Sequence, residues 1–307
     1  MHHGTHNALP DPRNEDVLVY INGDLKHRSE AKISVFDSGY LVGDGVWEGF
    51  RLHHGVLVYL DEHFDRLFQG ANAIGMDIGK TRQELEDAVW QTIHANNMET
   101  DVHIRLMITR GVKKTPSQDP RFVIGGPTIV ITAEYKKADP ASLEKGITLF
   151  TSTVRRGSPD YLDPRLNCHS KLHEVIALVQ AQRAGADEAL MLDIHGFVST
   201  CNATNFFMIK NGEVWTSTGQ YCMNGITRGK VVELCKANGI PVFEKNFSLT
   251  DVYSADEAFV TGSFGGLTPV NEIDGRIIGD QPSAGDLTRH LTTLYRADID
   301  RVVHDAK

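Results

Sequence analysis

A helical pattern of apolar residues stands in the middle of the chain. Four apolar residues recur there at the i, i+3, i+4 and i+7 spacing, which predicts a helix with one buried stripe. Pro164 precedes this helix, and Gly185 lies where a helix would stop. The four residues are Leu172, Val175, Ile176 and Val179.

Lys171 comes directly before this stripe, so we expect it in the first turn of the helix, on the flank of the buried face. Burial disfavours an ammonium, and a lysine held partly out of water keeps a larger share of nucleophilic amine. Such an amine is what imine chemistry requires. The alternative is a lysine whose stem covers apolar surface while its ammonium stays in water.

The first half of the chain alternates between strand and helix signals. Asn22-Gly23 separates two strand-like runs and predicts a type I′ hairpin turn. Thr81 and Glu84 have the spacing of a capping box at the start of a helix. We therefore expect residues 1–135 to form a small N-terminal α+β domain. Strands are expected over residues 103–109 and 128–133.

The second half predicts a larger α/β domain over residues 146–307. Thr227 is expected to cap a helix that Gly239 ends. The polar segment 136–145, which contains Pro140, is the best candidate for an interdomain linker. Strands are expected over residues 147–153, 188–192, 205–209, 213–216, 240–244 and 257–261.

Composition and charge narrow the classes of protein. Hydrophobic residues make up 41% and charged residues 23% of the 307 residues, which is typical of a globular protein. The formal net charge is -9 and no basic stripe is present, so nucleic acid is not an expected partner. No apolar run has the length of a membrane span, and the first residues lack the layout of a signal peptide.

Neither the histidines nor the cysteines have the spacing of a metal site. His2, His3 and His6 match no ligand pattern, so we expect a disordered start and no bound metal. The four cysteines form no C-x-x-C pair, which favours buried, reduced thiols in a cytoplasmic protein.

Two glycine-rich loops could bind phosphate. Gly225 stands directly before a predicted helix that starts near Ile226 and Thr227, where free backbone N–H groups and the helix dipole favour an anion. The small-residue loop 261–266 follows a predicted strand and offers hydroxyl and backbone donors. Neither is a P-loop or a dinucleotide-binding fingerprint, and most helix starts bind nothing.

Five ordered blocks together resemble the class IV aminotransferase family, and the resemblance covers about residues 20–294. SGYLVGDGVWEGFR is similar to the family's first signature, and LDEHFDRL to the segment whose arginine binds the phosphate of pyridoxal 5'-phosphate (PLP). The later blocks are AGADEALMLDIHGFVSTCNATNFF, NGITRGKVVELC and SADEAFVTGSFGGLTPV. The resemblance implies an α/β PLP fold type IV, D-amino-acid-aminotransferase-like, with two domains and the cofactor between them. It also implies a homodimer in which the partner contributes to the pocket.

The resemblance assigns cofactor and substrate roles to particular residues. Arg66, the backbone amides of Ile226 and Thr227, and the loop residues Ser263 and Phe264 are expected to hold the PLP phosphate. Tyr40, Trp47 and Arg105 match positions that line the substrate's carboxylate side. The guanidinium of Arg105 could grip a carboxylate with two bonds or take part in a structural ion pair.

The lysine of the family's signature is displaced in this chain. An ungapped alignment through DEALMLD places Asn167 where the Schiff-base lysine belongs, and Lys171 follows one helical turn later. A shift of one turn keeps the side chain on the same helix flank, so Lys171 is the candidate Schiff-base lysine. The competing hypothesis is that no imine lysine exists and that PLP binds only through its phosphate.

A second departure is Thr200, which stands where the family has a glutamate hydrogen-bonded to the pyridine nitrogen. A carboxylate stabilises a protonated ring, which then withdraws electrons strongly, whereas a threonine hydroxyl cannot hold that charge. The resemblance implies a PLP-dependent aminotransferase, branched-chain-aminotransferase-like, that uses an amino donor and a 2-keto acid acceptor. Thr200 raises the alternative of a PLP-dependent lyase, and Asn167 raises that of a non-catalytic ligand-binding relative.

Overall fold

A computed structural model of the chain describes residues 4–138, 144–279 and 284–307. The described residues group into two compact units, which we call the N-terminal and C-terminal units. The N-terminal unit contains Pro10–Lys137, Leu166–Lys171 and Val302–Lys307. The C-terminal unit contains the described parts of Met1–Leu9, Ala138–Arg165 and Leu172–Arg301. The predicted domain boundaries stay a prediction, and Pro140 in the predicted linker lies outside the described residues.

The N-terminal unit is built on an antiparallel sheet. Its six described strands are ordered β2-β1-β6-β5-β3-β4, and each neighbouring pair is antiparallel. The strands are β1 Leu18–Ile21, β2 Asp24–His27, β3 Gly45–His53, β4 Val56–Val58, β5 Val102–Thr109 and β6 Thr128–Tyr135. The helices are α1 Ser38–Val42, α2 Leu60–Ala73 and α3 Arg82–Ala95, with short 3-10 helices at Pro12–Asp16 and Pro120–Phe122.

Local sequence signals of this unit form as predicted. Asn22 and Gly23 both have positive φ, 50° and 105°, which a type I′ turn requires at its two central residues. The capping box between Thr81 and Glu84 is present at the start of α3. Both features depend only on neighbouring residues, so the sequence was sufficient to predict them.

The two faces of this sheet differ in character. In β3 and β5, every second residue points to a buried apolar core shared with α2 and α3. The alternate residues form a half-buried polar face, because successive side chains of a strand point to opposite sides. On β3 and β5 this polar face carries Trp47, Gly49, Arg51, His103 and Arg105.

The C-terminal unit contains a larger mixed sheet. Its described strands follow the order β12-β11-β10-β13-β14-β7-β8-β9, with β15 paired to β14. β7 pairs in parallel with both β14 and β8. Parallel pairs require crossover connections, which are typical of α/β folds. The strands are β7 Ile147–Thr151, β8 Glu188–Leu192, β9 Val198–Cys201, β10 Asn205–Lys210, β11 Glu213–Thr216, β12 Val242–Glu244, β13 Glu257–Gly262, β14 Gly266–Ile273 and β15 Arg276–Ile277. The helices are α4 Leu172–Arg183, α5 Ile226–Ala237, α6 Leu249–Val252 and α7 Asp286–Asp305.

Helix α4 forms where predicted, but its buried face is not the predicted one. The four residues of the apolar stripe are 38% to 70% exposed. The face turned to the protein instead carries Glu174, Ala177 and Ala181, and the two alanines belong to an apolar cluster with Ala189 and Met191. Small side chains let the helix lie close to the sheet. The larger apolar residues are therefore left on the opposite side.

The start of the described chain is ordered, contrary to the prediction for the residues around His6. Thr5 is buried, its backbone N–H donates to Glu188 Oε1 at 3.0 Å, and its hydroxyl binds the same carboxylate. The ring of His6 lies 6.5 Å from that of Phe264. The segment is thus held on the C-terminal unit, whereas His2 and His3 lie outside the described residues.

Candidate functional site

The start of helix α5 is arranged as an anion cradle. Gly225, and not Thr227 as predicted, is the N-cap residue, and no side chain caps the helix there. The first N–H groups of the helix therefore have no partner from within it and carry the positive end of its dipole. A Cβ at Gly225 would lie 2.3 Å from Asn205 Oδ1, so only glycine fits without a shift. Thr227 is buried, with its hydroxyl 3.3 Å from that of Tyr295.

The second predicted phosphate loop joins β13 to β14, and α5 packs against β13. It contains Ser263 and the buried Phe264. Thr261, at the end of β13, has a buried hydroxyl without a hydrogen-bond partner among the residues that the structure describes. A buried hydroxyl without a partner is costly, and a bound anion would satisfy it. The C-terminal unit thus supplies hydroxyl and backbone donors of the kind that hold a phosphate.

Arg66 belongs to a buried charged cluster in the N-terminal unit. Its Nε and Nη2 each donate to the Glu48 carboxylate at 2.7 Å, and His63 Nδ1 lies 2.6 Å from Glu48 Oε2. Burial alone would raise the pKa of Glu48, but the charge and hydrogen bonds of Arg66, together with those of His63, lower it to about 2. Glu48 is therefore ionised and fixes the plane of the guanidinium.

Sequence reasoning missed Glu48 and His63. Their signal was present, because His63 and Arg66 are three residues apart in α2 and so share one face of the helix. Glu48 lies in β3, among the buried residues of that strand that face α2. The carboxylate of the W-E-G run could therefore have been paired with these two residues before the structure was known.

Asn167 holds the segment that contains it against the start of β3 through hydrogen bonds. Its backbone C=O accepts from the Trp47 N–H at 3.0 Å, and its Nδ2 donates to the Trp47 C=O at 2.6 Å. The next residues continue this pairing, with Trp47 Nε1 donating to the Cys168 C=O at 3.1 Å and the His169 N–H donating to the Gly45 C=O at 3.0 Å. Asn167 Oδ1 is buried and lacks a partner in the described part of the chain.

Lys171 follows this segment and precedes helix α4, so the prediction that it lies in the first turn was wrong. Its N–H donates to the His169 C=O at 2.9 Å, and the side chain is half-buried. Burial lowers the pKa of His169, and His169 Nε2 lies 3.2 Å from the Val46 C=O. The pairing of residues 167–169 with β3 therefore fixes the position of the Lys171 backbone, from which the side chain starts.

Thr200 lies in β9 with its hydroxyl already engaged. The hydroxyl donates to the Thr204 C=O at 2.7 Å, and Asn205 Nδ2 lies 3.4 Å from the same oxygen. The oxygen carries no charge, and its proton is committed to a backbone carbonyl. Thr200 can therefore accept a hydrogen bond from a ligand, but it cannot stabilise a positive charge as a carboxylate would.

Two of the three predicted substrate residues lie together on the polar face of the N-terminal sheet. The Arg105 guanidinium stacks over the Trp47 ring at 4.2 Å. The pKa of Arg105 is lowered by burial, and the charge of Glu134 offsets part of this shift. Tyr40 lies on α1 with 72% of its surface exposed. Arg66 belongs with Glu48 to the helix-covered side of the sheet, whereas Trp47 and Arg105 are on the other side.

Some classes of site find no support in the described residues. Over residues 4–138, 144–279 and 284–307, no group of three or more histidine, cysteine, aspartate or glutamate side chains is placed to hold a metal ion. No helix in the same ranges has the length and apolar character needed to cross a membrane. All four cysteines are free thiols and buried.

Comparison with known proteins identifies the family. Residues 45–273 match the amino-transferase class IV family. The chain is 42% identical over 279 residues to a putative branched-chain-amino-acid aminotransferase of Methanocaldococcus jannaschii, covering 91% of this chain and 95% of that protein. It is 40% identical to the branched-chain-amino-acid aminotransferase-like protein 2 of Arabidopsis thaliana over 94% of this chain, but it spans only 51% of that protein's length.

A solved structure confirms the predicted fold. The branched-chain amino acid aminotransferase of T.th., solved with pyridoxamine 5'-phosphate, superposes with a TM-score of 0.86 at 28% identity, covering 92% of this chain and 94% of that one. The described elements therefore have the α/β arrangement of PLP fold type IV. Sequence and structure agree, and the chain belongs to the class IV aminotransferase family.

Proposed function

We propose that the chain is a PLP-dependent aminotransferase, branched-chain-aminotransferase-like, that transfers an amino group between an amino acid or amine and a 2-keto acid. The uncapped start of helix α5 is the observation that carries this proposal, because it presents N–H donors and a buried threonine hydroxyl to an anion. The relatives named above are aminotransferases, so the lyase and non-catalytic alternatives are not favoured.

The residues present fit the coenzyme's phosphate. In the C-terminal unit, Ile226, Thr227 and the Ser263–Phe264 loop offer N–H and hydroxyl donors, and the unsatisfied Thr261 hydroxyl lies beside them in the chain. In the N-terminal unit, Arg66 offers a guanidinium held by Glu48. When bound, the coenzyme supplies an aldehyde for the substrate amine and a ring that withdraws electrons from it.

Lys171 is the residue that we assign to proton transfer. The side chain of Lys171 is half-buried, and an amine can accept a proton in one step and release it in the next, as a general acid and base must. Asn167 cannot take this role, because its carboxamide does not titrate and its Nδ2 is bound to the Trp47 backbone. Trp47, Arg105 and Tyr40 are assigned to the substrate, with Arg105 binding its carboxylate.

The assignment of Lys171 is tested with Lys171→Ala and Lys171→Arg variants of the PLP-loaded protein. Both variants should keep coenzyme affinity through the phosphate donors, and both should lose keto-acid formation from an amine donor. Mass spectrometry after borohydride reduction should locate the coenzyme on the peptide that contains residue 171. Coenzyme attached to another lysine, or full activity in Lys171→Ala, would reject the role.

We also propose that the chain forms a homodimer. The exposed apolar stripe of α4 supports this, because apolar side chains grouped on one surface of a helix are typical of an interface. In the other unit, Tyr40 on α1 is also exposed. In a dimer, Tyr40 could serve the partner's pocket. Light scattering should give about twice the monomer mass. A mass of 34.0 kDa would reject the dimer.

The compartment and the domain boundary are further proposals. Four buried thiols support a cytoplasmic protein, since reducing compartments keep such cysteines unpaired. Cell fractionation tests this, and recovery of the protein outside the cytoplasm would reject it. Residues 136–145 are proposed as the linker between a 1–135 domain and a 146–307 domain. Limited proteolysis should cut first within this range, and a first cut elsewhere would reject that boundary.

A further inference from the structure

The segment that contains Asn167 adds a short edge to the N-terminal sheet beside β3. Cys168 forms an isolated antiparallel bridge with Val46, which sets Asn167 opposite Trp47. Residues that are directly opposed in an antiparallel pair have their side chains on the same face of the sheet. Asn167 therefore belongs to the polar face, which also carries Trp47 and the Arg105 guanidinium stacked on its ring.

His169 supports this register. Its N–H donates to the Gly45 C=O at 3.0 Å, two positions along from the pair formed by Asn167 and Trp47. A Cβ at Gly45 would lie 3.1 Å from His169 Cδ2, so the imidazole covers the face to which a side chain at Gly45 would point. Alternate residues of a strand share a face, so the imidazole and the Asn167 side chain lie on the same side of β3 as the Trp47 ring.

The carboxamide of Asn167 can take only one orientation. Its Nδ2 lies 2.6 Å from the Trp47 C=O, and a carbonyl oxygen only accepts, so the nitrogen must be the atom on that side. Oδ1 is left as an acceptor, buried and without a hydrogen bond from any residue in the ranges 4–138, 144–279 and 284–307. The residue is only 5% exposed, so bulk water does not reach it freely. A buried acceptor without a donor costs free energy, and a bound ligand that supplies a donor removes that cost.

The missing partner of Oδ1 must be a hydrogen-bond donor. In the proposed aminotransferase reaction, one nitrogen passes between the substrate and the coenzyme, and in both places it is an amine with N–H groups. The aldehyde and keto oxygens that replace this nitrogen are acceptors, and two acceptors form no hydrogen bond with each other. Among the reacting groups, the amine is therefore the one that satisfies Oδ1.

We propose that Asn167 is a binding residue for the transferred nitrogen, and that its Oδ1 accepts a hydrogen bond from the amine whether the substrate or the coenzyme carries it. The inference rests on the proposed aminotransferase function and deepens it, because it gives the protein a preference for the amine form of its ligand. A carboxamide does not titrate, so this preference does not depend on the protonation of Asn167.

The test measures binding of pyridoxamine 5'-phosphate and 4'-deoxypyridoxine 5'-phosphate to the full chain by calorimetry. The two ligands have the same ring and phosphate, and they differ only in the amine, which a hydrogen atom replaces in the second. Wild type should bind pyridoxamine 5'-phosphate about tenfold more tightly, as expected from one buried hydrogen bond. Equal affinities would mean that water satisfies Oδ1, and would overturn the inference.

Two variants separate the acceptor oxygen from the hydrogen bond to Trp47. Asn167→Leu removes both, so binding of pyridoxamine 5'-phosphate should weaken by about tenfold while that of the deoxy compound changes by less than about twofold. Asn167→Asp loses the hydrogen bond to the Trp47 C=O but keeps acceptor oxygens, so it should retain a preference of about tenfold or more for the amine. If Asn167 only holds the backbone in place, both variants will weaken both ligands alike, and the inference fails.

Asn14→Leu is the matched control in the same unit. Asn14 also binds backbone, with Nδ2 donating to the Tyr135 C=O and Oδ1 accepting from the Tyr135 N–H, both at 2.8 Å. Both sides of this carboxamide are satisfied, so its replacement should leave the ratio of the two affinities within about twofold of wild type.

Keto-acid formation from an amino donor is measured separately. If the preference for the amine depends on Asn167 but no keto acid forms, the inference stands and the aminotransferase proposal fails. If keto acid forms and wild type shows no preference for the amine, the reverse holds.

Discussion

Replacing Glu48 with glutamine should destabilise the N-terminal unit in a pH-dependent way. Glu48 is fully buried between Arg66 and His63, with three hydrogen bonds of 2.6 to 2.7 Å to its carboxylate. Glu48→Gln keeps the shape of the side chain but removes the negative charge. The guanidinium of Arg66 then loses its counter-charge in a half-buried site, which is the costly way to break such a pair.

The size of the effect follows from the pKa of Glu48. The folded protein lowers this pKa from 4.5 to about 2, and each pKa unit corresponds to about 1.4 kcal/mol, so the ionised carboxylate contributes about 3 kcal/mol at neutral pH. Because the folded-state pKa lies below the unfolded value, this stabilisation is present above pH 4.5 and is lost as the pH falls towards 2. The variant and wild type should therefore differ most at neutral pH and converge in acid.

Urea unfolding of the full chain, followed by tryptophan fluorescence between pH 7 and about pH 2, measures this difference. Glu30→Gln is the control, since Glu30 is exposed, and its free energy of unfolding should change by less than about 0.5 kcal/mol. The reasoning is refuted if Glu48→Gln unfolds like wild type at pH 7, or if the difference between them does not shrink as the pH falls. PLP titration of the same variant should also show weaker binding, because Arg66 is no longer held in one plane.

Two further predictions concern the C-terminal unit. Gly225→Ala should weaken PLP binding by about tenfold, because the new Cβ displaces the Asn205 carboxamide at the helix start. Gly229→Ala, with open space around its Cβ, should raise the free energy of unfolding by about 0.5–1 kcal/mol. PLP titration and thermal unfolding of both variants check this, and equal PLP affinities of Gly225→Ala and wild type would contradict an anion site at the start of α5. Burial raises the pKa of Cys201 well above its usual value, so a thiol reagent should not modify it in the native protein at mildly alkaline pH and should do so after denaturation. Mass spectrometry of the labelled peptides follows this, and rapid native labelling of Cys201 would contradict its burial.

The sequence determined the elements whose signals are local. The Asn22-Gly23 turn and the Thr81 capping box form as predicted, because both depend on backbone conformation and hydrogen bonds within a few residues. The glycine loop at the start of α5 was also found from the sequence. Only its cap was misplaced, from Gly225 to Thr227, because both residue types are common at that position.

The buried face of α4 and the position of Lys171 were decided by tertiary structure. The apolar stripe of α4 predicted burial, but the sheet accepts the small side chains of Ala177 and Ala181 instead, since close approach to β8 leaves no room for larger ones. Lys171 was placed in the helix, yet Asn167 is tied to Trp47, which is 120 residues away in the sequence. No local pattern contains that pairing.

The ordered blocks of the sequence determined the family and the residues offered to the coenzyme. Only the tertiary structure decided which groups meet: Glu48 pairs with Arg66 on one side of the β3–β5 sheet, and Arg105 stacks on Trp47 on the other. Spacing along the chain specifies which face of a strand or helix a side chain occupies. Pairing between distant elements specifies which other side chain it finds there, and that pairing sets the electrostatics of the site.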